Sequence, residues 1–140
     1  MIDIENVVFD RVARALMAYD QGVDVSAVPV ELPESFPHVV LYESANSVYR
    51  RSQTLDRIEN HAVLAYEVNV YCVGDGRKAQ AKALADIIDS TMGGMRFVRT
   101  FRGQTPNVDR DIYRITMRYS AVASQPITVG EYQFVNIYSE

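Results

Sequence analysis

The sequence predicts an α+β fold: a mostly antiparallel sheet with two helices packed on one face. Three observations carry this. The chain opens on a segment whose apolar residues recur at helical spacing, Ile4, Val8, Val12, Leu16. Two later runs, His61–Val73 and Arg110–Ala123, alternate at strand period. Between them Arg77–Met92 returns to helical spacing, bounded by glycines on both sides. The order is helix, strand, long loop, strand, helix, two strands and a last extended segment. That order suits a sheet with its helices on one side.

The first helix is predicted from about Ile4 to Asp20. Asp3 is its expected N-cap, and Glu5 and Asn6 suit the positive end of the helix. The expected apolar stripe is Ile4, Val8, Val12, Ala15, Leu16 and Tyr19, with Gln21-Gly22 as the stop. Residues 22–37 read as an extended connection, because Pro29, Pro33 and Pro37 forbid a regular helix and disfavour a central strand. His38–Glu43 is a short strand. Ser44–Asn60 is polar and has no sustained apolar period, so it reads as a long loop or a protruding hairpin. His61–Val73 is the clearest strand, with Ala62, Leu64, Tyr66, Val68, Val70 and Cys72 on one face and Glu67 and Asn69 on the other. Gly74-Asp75-Gly76 breaks it, and Asp75 is the expected cap of helix Arg77–Met92. That helix buries Ala81, Leu84, Ile88 and Met92 and ends at Gly93-Gly94. Met95–Gly103 is the next strand, followed by a turn around Pro106-Asn107. In strand Arg110–Ala123, Tyr113, Ile115, Met117, Tyr119, Ala121 and Ala123 oppose Arg114, Thr116, Arg118 and Ser120. The predicted organisation is one domain over 1–124. Residues 125–140 follow as an extended C-terminal arm or edge strand, aromatic at Tyr132, Phe134 and Tyr138.

Composition narrows the function classes. The chain has 140 residues, 48% hydrophobic and 23% charged, which fits one folded domain and excludes a wholly disordered or fibrous chain. No run approaches the ~20 apolar residues of a membrane-spanning helix, and the acidic start lacks the order of a signal peptide. A single cysteine, Cys72, excludes an internal disulfide and points to a reducing cytoplasm. The net charge of −4 is unevenly spread: residues 1–48 carry −6 and residues 49–119 carry +4. Twelve of the fourteen bases are arginine, which favours paired contacts at interfaces. An acidic end and an Arg-rich middle suit association between copies.

Catalytic chemistry needs converging groups, and the residues offer little of it. His38 and His61 sit at strand starts without metal-ligand spacing, so no metal site is expected. Cys72 lies on an apolar strand face and reads as a buried structural thiol. Gly74-Asp75-Gly76-Arg77-Lys78, between a strand and a helix, has the position of a phosphate-binding loop. It lacks the third glycine of a dinucleotide fingerprint, since position 79 is Ala; a turn with a capping Asp is the simpler reading. Met95-Arg96-Phe97-Val98-Arg99-Thr100-Phe101-Arg102 mixes the residue types that bind single-stranded nucleic acid. By alternation, however, Phe97 and Phe101 belong to the core side with Arg99, and Arg96 and Arg102 to the other. The pI near 5.2 also opposes nucleic-acid binding. No cofactor is expected.

A family resemblance emerges from residues 60–124 and the opening helix. Tyr66-Glu67-Val68-Asn69-Val70-Tyr71 is followed by a Gly-Arg-Lys-Ala entry into an Ala-rich helix. That helix ends Ile87-Ile88-Asp89-Ser90-Thr91-Met92-Gly93-Gly94. Met95-Arg96-Phe97 opens a strand, Thr105-Pro106-Asn107 makes a turn, and Asp111–Tyr119 supplies the closing strand. This pattern resembles the tail terminator, or tail completion, proteins of long-tailed double-stranded DNA bacteriophages. The resemblance rests on element order and a diffuse residue pattern.

The resemblance implies a non-enzymatic virion protein, assembled in the bacterial host cytoplasm and located at the tail–neck junction. It would form a homohexameric ring that caps the tail tube, stops tube polymerisation and meets a head-completion or connector protein. DNA would pass through the channel without sequence-specific binding and no membrane would be involved. A lumen that lets DNA slide should be neutral or acidic, so acids such as Asp20, Asp24, Glu31 or Glu34 are expected to face it. On this reading Arg96, Arg102, Arg114 and Arg118 share a sheet face that meets a neighbouring subunit or ring. Tyr49, Arg50 and Arg51 anchor loop 44–60 on the tail tube, and Tyr132, Phe134 and Tyr138 make tube or neck contacts. The alternatives are a small α+β module that binds single-stranded nucleic acid or a nucleotide, and another phage neck or head-completion protein.

Overall fold

The computed structural model describes residues 2–29, 33–48, 61–107, 109–124, 127–129, 132–134 and 137–138. Helix α1 spans Glu5–Tyr19 and buries Val8, Val12, Ala13 and Leu16. Ala13 takes the place expected of Ala15 in the stripe, and Tyr19, at the helix end, is 59% exposed. The N-cap is Ile4 rather than Asp3. Asp3 acts from one position further out, its carboxylate accepting the Glu5 N–H at 3.1 Å. This satisfies one of the donors that a helix start leaves orphaned.

The sheet strands are β1 (Asp24–Ser26), β2 (His38–Val48), β3 (His61–Cys72), β4 (Val98–Gln104) and β5 (Tyr113–Ser124). They lie in the order β1-β2-β3-β5-β4. Only β1, paired with β2, is parallel to its neighbour. β1 lies inside the segment expected to be a plain connection. It is a three-residue edge strand that ends before Pro29, the one place such a proline-rich stretch can join a sheet. The chain then continues through β6 (Ile127–Val129) and β7 (Tyr132–Phe134), an antiparallel pair. β8 (Ile137–Tyr138) pairs with the end of β5 at Val122 and Ala123.

β2 runs five residues beyond its expected end at Glu43. A register shift between Glu43 and Ala45 explains why the alternation was lost. Ser44 is an extra residue, so the faces invert behind it and Asn46, not Ala45, joins Glu43 on the inner side. A matching shift occurs in β4 between Arg99 and Phe101. Both bulges sit at one height of the sheet, beside a row in which Glu43, Tyr66, Tyr119 and Arg99 stand in register.

Helix α2 spans Arg77–Gly94 and packs over β3, β4 and β5, with α1 beside it over β2. Asp75 does not cap it. The N-cap is Gly76, held at φ 74°, a backbone region that glycine enters without strain. At the other end Gly93 and Gly94 are the last helical residues, but neither makes the left-handed turn that closes the helix. The stop comes at Arg96, whose φ is 69°. The Arg96 N–H donates to Gly93 O at 2.9 Å and the Phe97 N–H to Met92 O at 3.0 Å. This is a Schellman closure, with buried Met92 and Phe97 as its apolar clasp. Because the helix runs on, β4 begins at Val98 instead of Met95.

One core joins α1, α2 and the inner sheet face, from Ile2 to Ala123. Its two largest fully buried side chains are Tyr66 and Tyr119. Each spends its body on packing and its hydroxyl on a partner at the rim. Tyr66 meets the Phe97 ring edge-on at 5.3 Å and donates to Glu43 Oε1 at 3.3 Å. Tyr119 donates to Asp89 Oδ1 on α2 at 2.9 Å. Burial and these carboxylates push both phenols well above their usual pKa, so both stay protonated donors.

Candidate functional site

No described helix covers the outer face of the sheet, and its side chains form ordered rows across the strands. In the first row Phe101, Arg118, Glu67 and Tyr42 are direct cross-strand neighbours. In the second, Gly103, Thr116, Asn69 and Val40 are neighbours, and in the third Arg114 faces Tyr71, which faces His38. These positions follow from the alternation of β3 and β5, which the sequence read correctly.

Glu67 organises the first row. Its Oε1 accepts from Arg118 Nε at 3.1 Å, and its Oε2 accepts from the Tyr42 hydroxyl and, at 3.3 Å, from Asn69 Nδ2. Partial burial pushes the carboxyl upward, but the donors from Tyr42, Arg118 and Asn69 outweigh it, and its pKa falls below the ordinary carboxylate value. The same contact, added to burial, pushes the Tyr42 phenol up to about 12. Glu67 is therefore ionised and Tyr42 protonated at neutral pH. The Arg118 guanidinium also lies 5.1 Å over the Phe101 ring.

Asn69 organises the second and third rows from a buried position. Its Oδ1 accepts from Thr116 Oγ1 at 2.7 Å and from Arg114 Nε at 3.0 Å. Thr105 donates to Thr116 at 2.6 Å and extends the chain of hydrogen bonds toward the turn after β4. Arg114 lies 5.3 Å over the Tyr71 ring. Pro29, Val40, Tyr42, Glu67, Asn69 and Tyr71 join it around a shallow cleft of about 310 Å³.

The four arginines expected on one face are dispersed. Arg114 and Arg118 are on the outer face. Arg96 is not in a strand at all, but closes α2 in a left-handed conformation. Arg102 points to the helix side, where its Nη1 pairs with Asp86 Oδ1 at 2.9 Å, next to the Arg99–Asp89 pair at 3.2 Å. The β4 bulge is the cause: one extra residue exchanges the sides of Phe101 and Arg102 relative to strict alternation. Phe101, expected in the core with Phe97, is instead on the outer face and 43% exposed. Its ring leans over Gly103, where an added Cβ would stand 3.1 Å from it.

Tyr49, Arg50 and Arg51 lie outside the described residues. For Tyr132, Phe134 and Tyr138 the backbone alone is placed, in β7 and β8, with Tyr138 opposite Val122. Among the expected channel acids, Asp24 accepts from Ser35 at 2.9 Å and meets His38 Nδ1 at 3.2 Å, Asp20 turns back to the Gly22 N–H at 2.9 Å, and Glu34 is exposed. Glu31 lies outside the described residues. Cys72 is buried in the core, and desolvation pushes its thiol up to about 11, which leaves it protonated and inert. Among the described residues no group of three His, Cys, Asp or Glu side chains is placed to hold a metal ion. No described helix is long and apolar enough to cross a membrane.

The residues that sequence reasoning missed are Tyr42, Tyr71 and Asn69, together with the organising role of Glu67. Polar residues facing away from the core in a strand were the only available signal, and partners on adjacent strands far apart in sequence become visible only once the register is known. No protein-family model matches the chain, and no curated protein matches it.

Proposed function

We propose that this chain is a non-enzymatic bacteriophage virion protein that forms a hexameric ring capping the tail tube. It ends tube polymerisation and offers its opposite side to a head-completion or connector protein, while DNA passes through the ring. The resemblance over residues 60–124 brings the identity. The observation that carries the physical part is the outer sheet face. Its charged and aromatic side chains are already fixed by Glu67 and Asn69, so little conformational entropy remains to be lost when a protein surface docks on it. The edge strands β1 and β4 add a second means of joining neighbours, by strand addition.

Cryo-microscopy of the virions tests this reading. A six-fold ring of this chain at the head-proximal end of the tail tube is expected; virions without the chain refute it. A ring seated on the portal side instead identifies a neck or head-completion protein. A deletion of residues 48–56 should leave a folded chain that no longer limits tail length, and tails of normal length in that mutant would refute tube contact by loop 44–60. Truncation after Gln125 probes the aromatic arm in the same way.

One observation favours a second reading. The β4 bulge places an exposed Phe101 beside Arg118 on the outer sheet face, and an aromatic ring with a nearby arginine is what a single-stranded nucleic acid or a nucleotide stacks on. A salt-dependent shift with single-stranded oligonucleotides, lost in Phe101→Ala, is the result this reading requires.

A further inference from the structure

Arginines near this sheet differ in how their charge is met. Arg99, Arg102 and Arg118 each contact a carboxylate, at 3.2, 2.9 and 3.1 Å. Arg114 is half-buried and makes no ion pair among the described residues. Its Nε is used by Asn69, and its plane is fixed over Tyr71. Glu67, the acid that lines the same cleft, is engaged by Tyr42, Asn69 and Arg118. What Arg114 still offers to the cleft is its pair of terminal nitrogens, the side of a guanidinium that holds a carboxylate with two parallel hydrogen bonds. Removing this cation partly from water without a counter-ion costs stability that an entering carboxylate would offset.

We propose that the Arg114 cleft receives a carboxylate side chain from a second copy of the chain. Arg114 is then the sheet-side half of the contact between neighbouring subunits. The inference rests on the ring reading above and names the face on which the ring would be joined. Charge complementarity selects the occupant. The N-terminal third carries −6 against +4 for residues 49–119. Within that third Asp3, Asp10 and Glu34 are exposed, Asp20 is partly so, and none of the four pairs with a cation among the described residues. Among the described residues, each copy thus holds acids without a cation partner in its N-terminal third and an arginine without a carboxylate partner on β5. Contacts between unlike surfaces repeat from copy to copy and can close a ring.

The test uses the full-length chain in sedimentation velocity at low and high salt. The wild type should associate, and less so in high salt. Arg114→Gln should raise the dissociation constant between copies by about tenfold or more. Arg114→Lys, which keeps the charge and loses the fork, should fall between the two. Arg99→Gln, on the helix side of the sheet with Asp89 as its partner, should change association by less than about threefold. Arg114→Glu should abolish association, and one of Asp3→Lys, Asp10→Lys, Asp20→Lys or Glu34→Lys in that background should restore it.

Circular dichroism melts separate a folding defect from a contact defect, and the four acid variants in the wild-type background test the same contact with Arg114 intact. Association unchanged by Arg114→Gln overturns the cleft and leaves the ring reading standing. A wild-type chain that stays monomeric overturns this contact, while the virion location decides the ring independently. Restoration by none of the four acids overturns the choice of occupant. N-acetylglutamate that shifts the Arg114 Nε–H resonance of a chain that does not associate would make the cleft a small-ligand site instead.

Discussion

The two faces of this sheet are built from the same strands by different means. On the inner face, every second residue of β3 and β5 is apolar or a tyrosine and disappears under α1 and α2. There the strands are joined by area removed from water, which any well-shaped apolar side chain could supply. On the outer face, cohesion comes from named partners: Glu67 with three donors, and Asn69 with two more. Such a network is sensitive to single atoms and insensitive to volume. The inner face holds the large core, and the outer face combines a small buried cluster of Val40, Tyr71 and Ile112 with side chains fixed by hydrogen bonds.

Substitutions on each face should separate these two kinds of cohesion. The largest effect is expected from Leu84→Ala, in the helix-covered core, which should cost about 2–5 kcal/mol in denaturant unfolding and leave any partner contact of the outer face unchanged in those molecules that remain folded. Asn69→Ala should cost less, about 1–3 kcal/mol, because it strips a partner from Arg114 Nε while Thr116 keeps Thr105. The same variant should free the Arg114 guanidinium from its fixed plane, visible as broadening of its Nε–H resonance. A core-like loss with Arg114 still fixed would show that Asn69 acts by packing alone.

The smallest effects should have opposite signs on the two faces. Glu43, on the inner side, is raised in pKa by burial, by more than its hydrogen bonds from Asn46 and Tyr66 lower it, with Asp3 and Glu5 adding repulsion. Its ionisation therefore opposes folding above the ordinary value of 4.5 and ceases to do so below it. Glu43→Gln should raise the melting temperature at neutral pH, with the gain vanishing in acid. Glu67 is lowered instead, so its contribution is present above 4.5 and lost as the pH falls through its depressed value. Glu67→Gln should lower the melting temperature at neutral pH, with the loss vanishing in acid. Melting curves of the two variants across pH check both signs, and equal signs would dissolve the distinction between the faces.

The inner face was legible because period-2 alternation needs no knowledge of neighbours. Leu64, Tyr66, Val68, Met117 and Tyr119 were all placed correctly from their spacing alone. The outer face was legible in membership for Glu67, Asn69, Arg114 and Arg118, but not in its bonding, which depends on register between strands far apart in sequence. Errors concentrate at the bulges and caps. Ser44 and Thr100 carry nothing in their identity that announces an extra residue. Nor does Arg96 announce a left-handed turn, since Gly93-Gly94, ahead of Met95, offered an easier place for it.

The bulge in β4 has a consequence for how this gene can change. Edge strands usually accept gain or loss of a codon, because no second neighbour constrains them. Here, loss of the codon for Thr100 would restore strict pairing and leave Arg99, Phe101 and Arg102 on their present sides, because Thr100 is the residue in excess. Thr100 is therefore a position at which this edge can shorten without exchanging its faces.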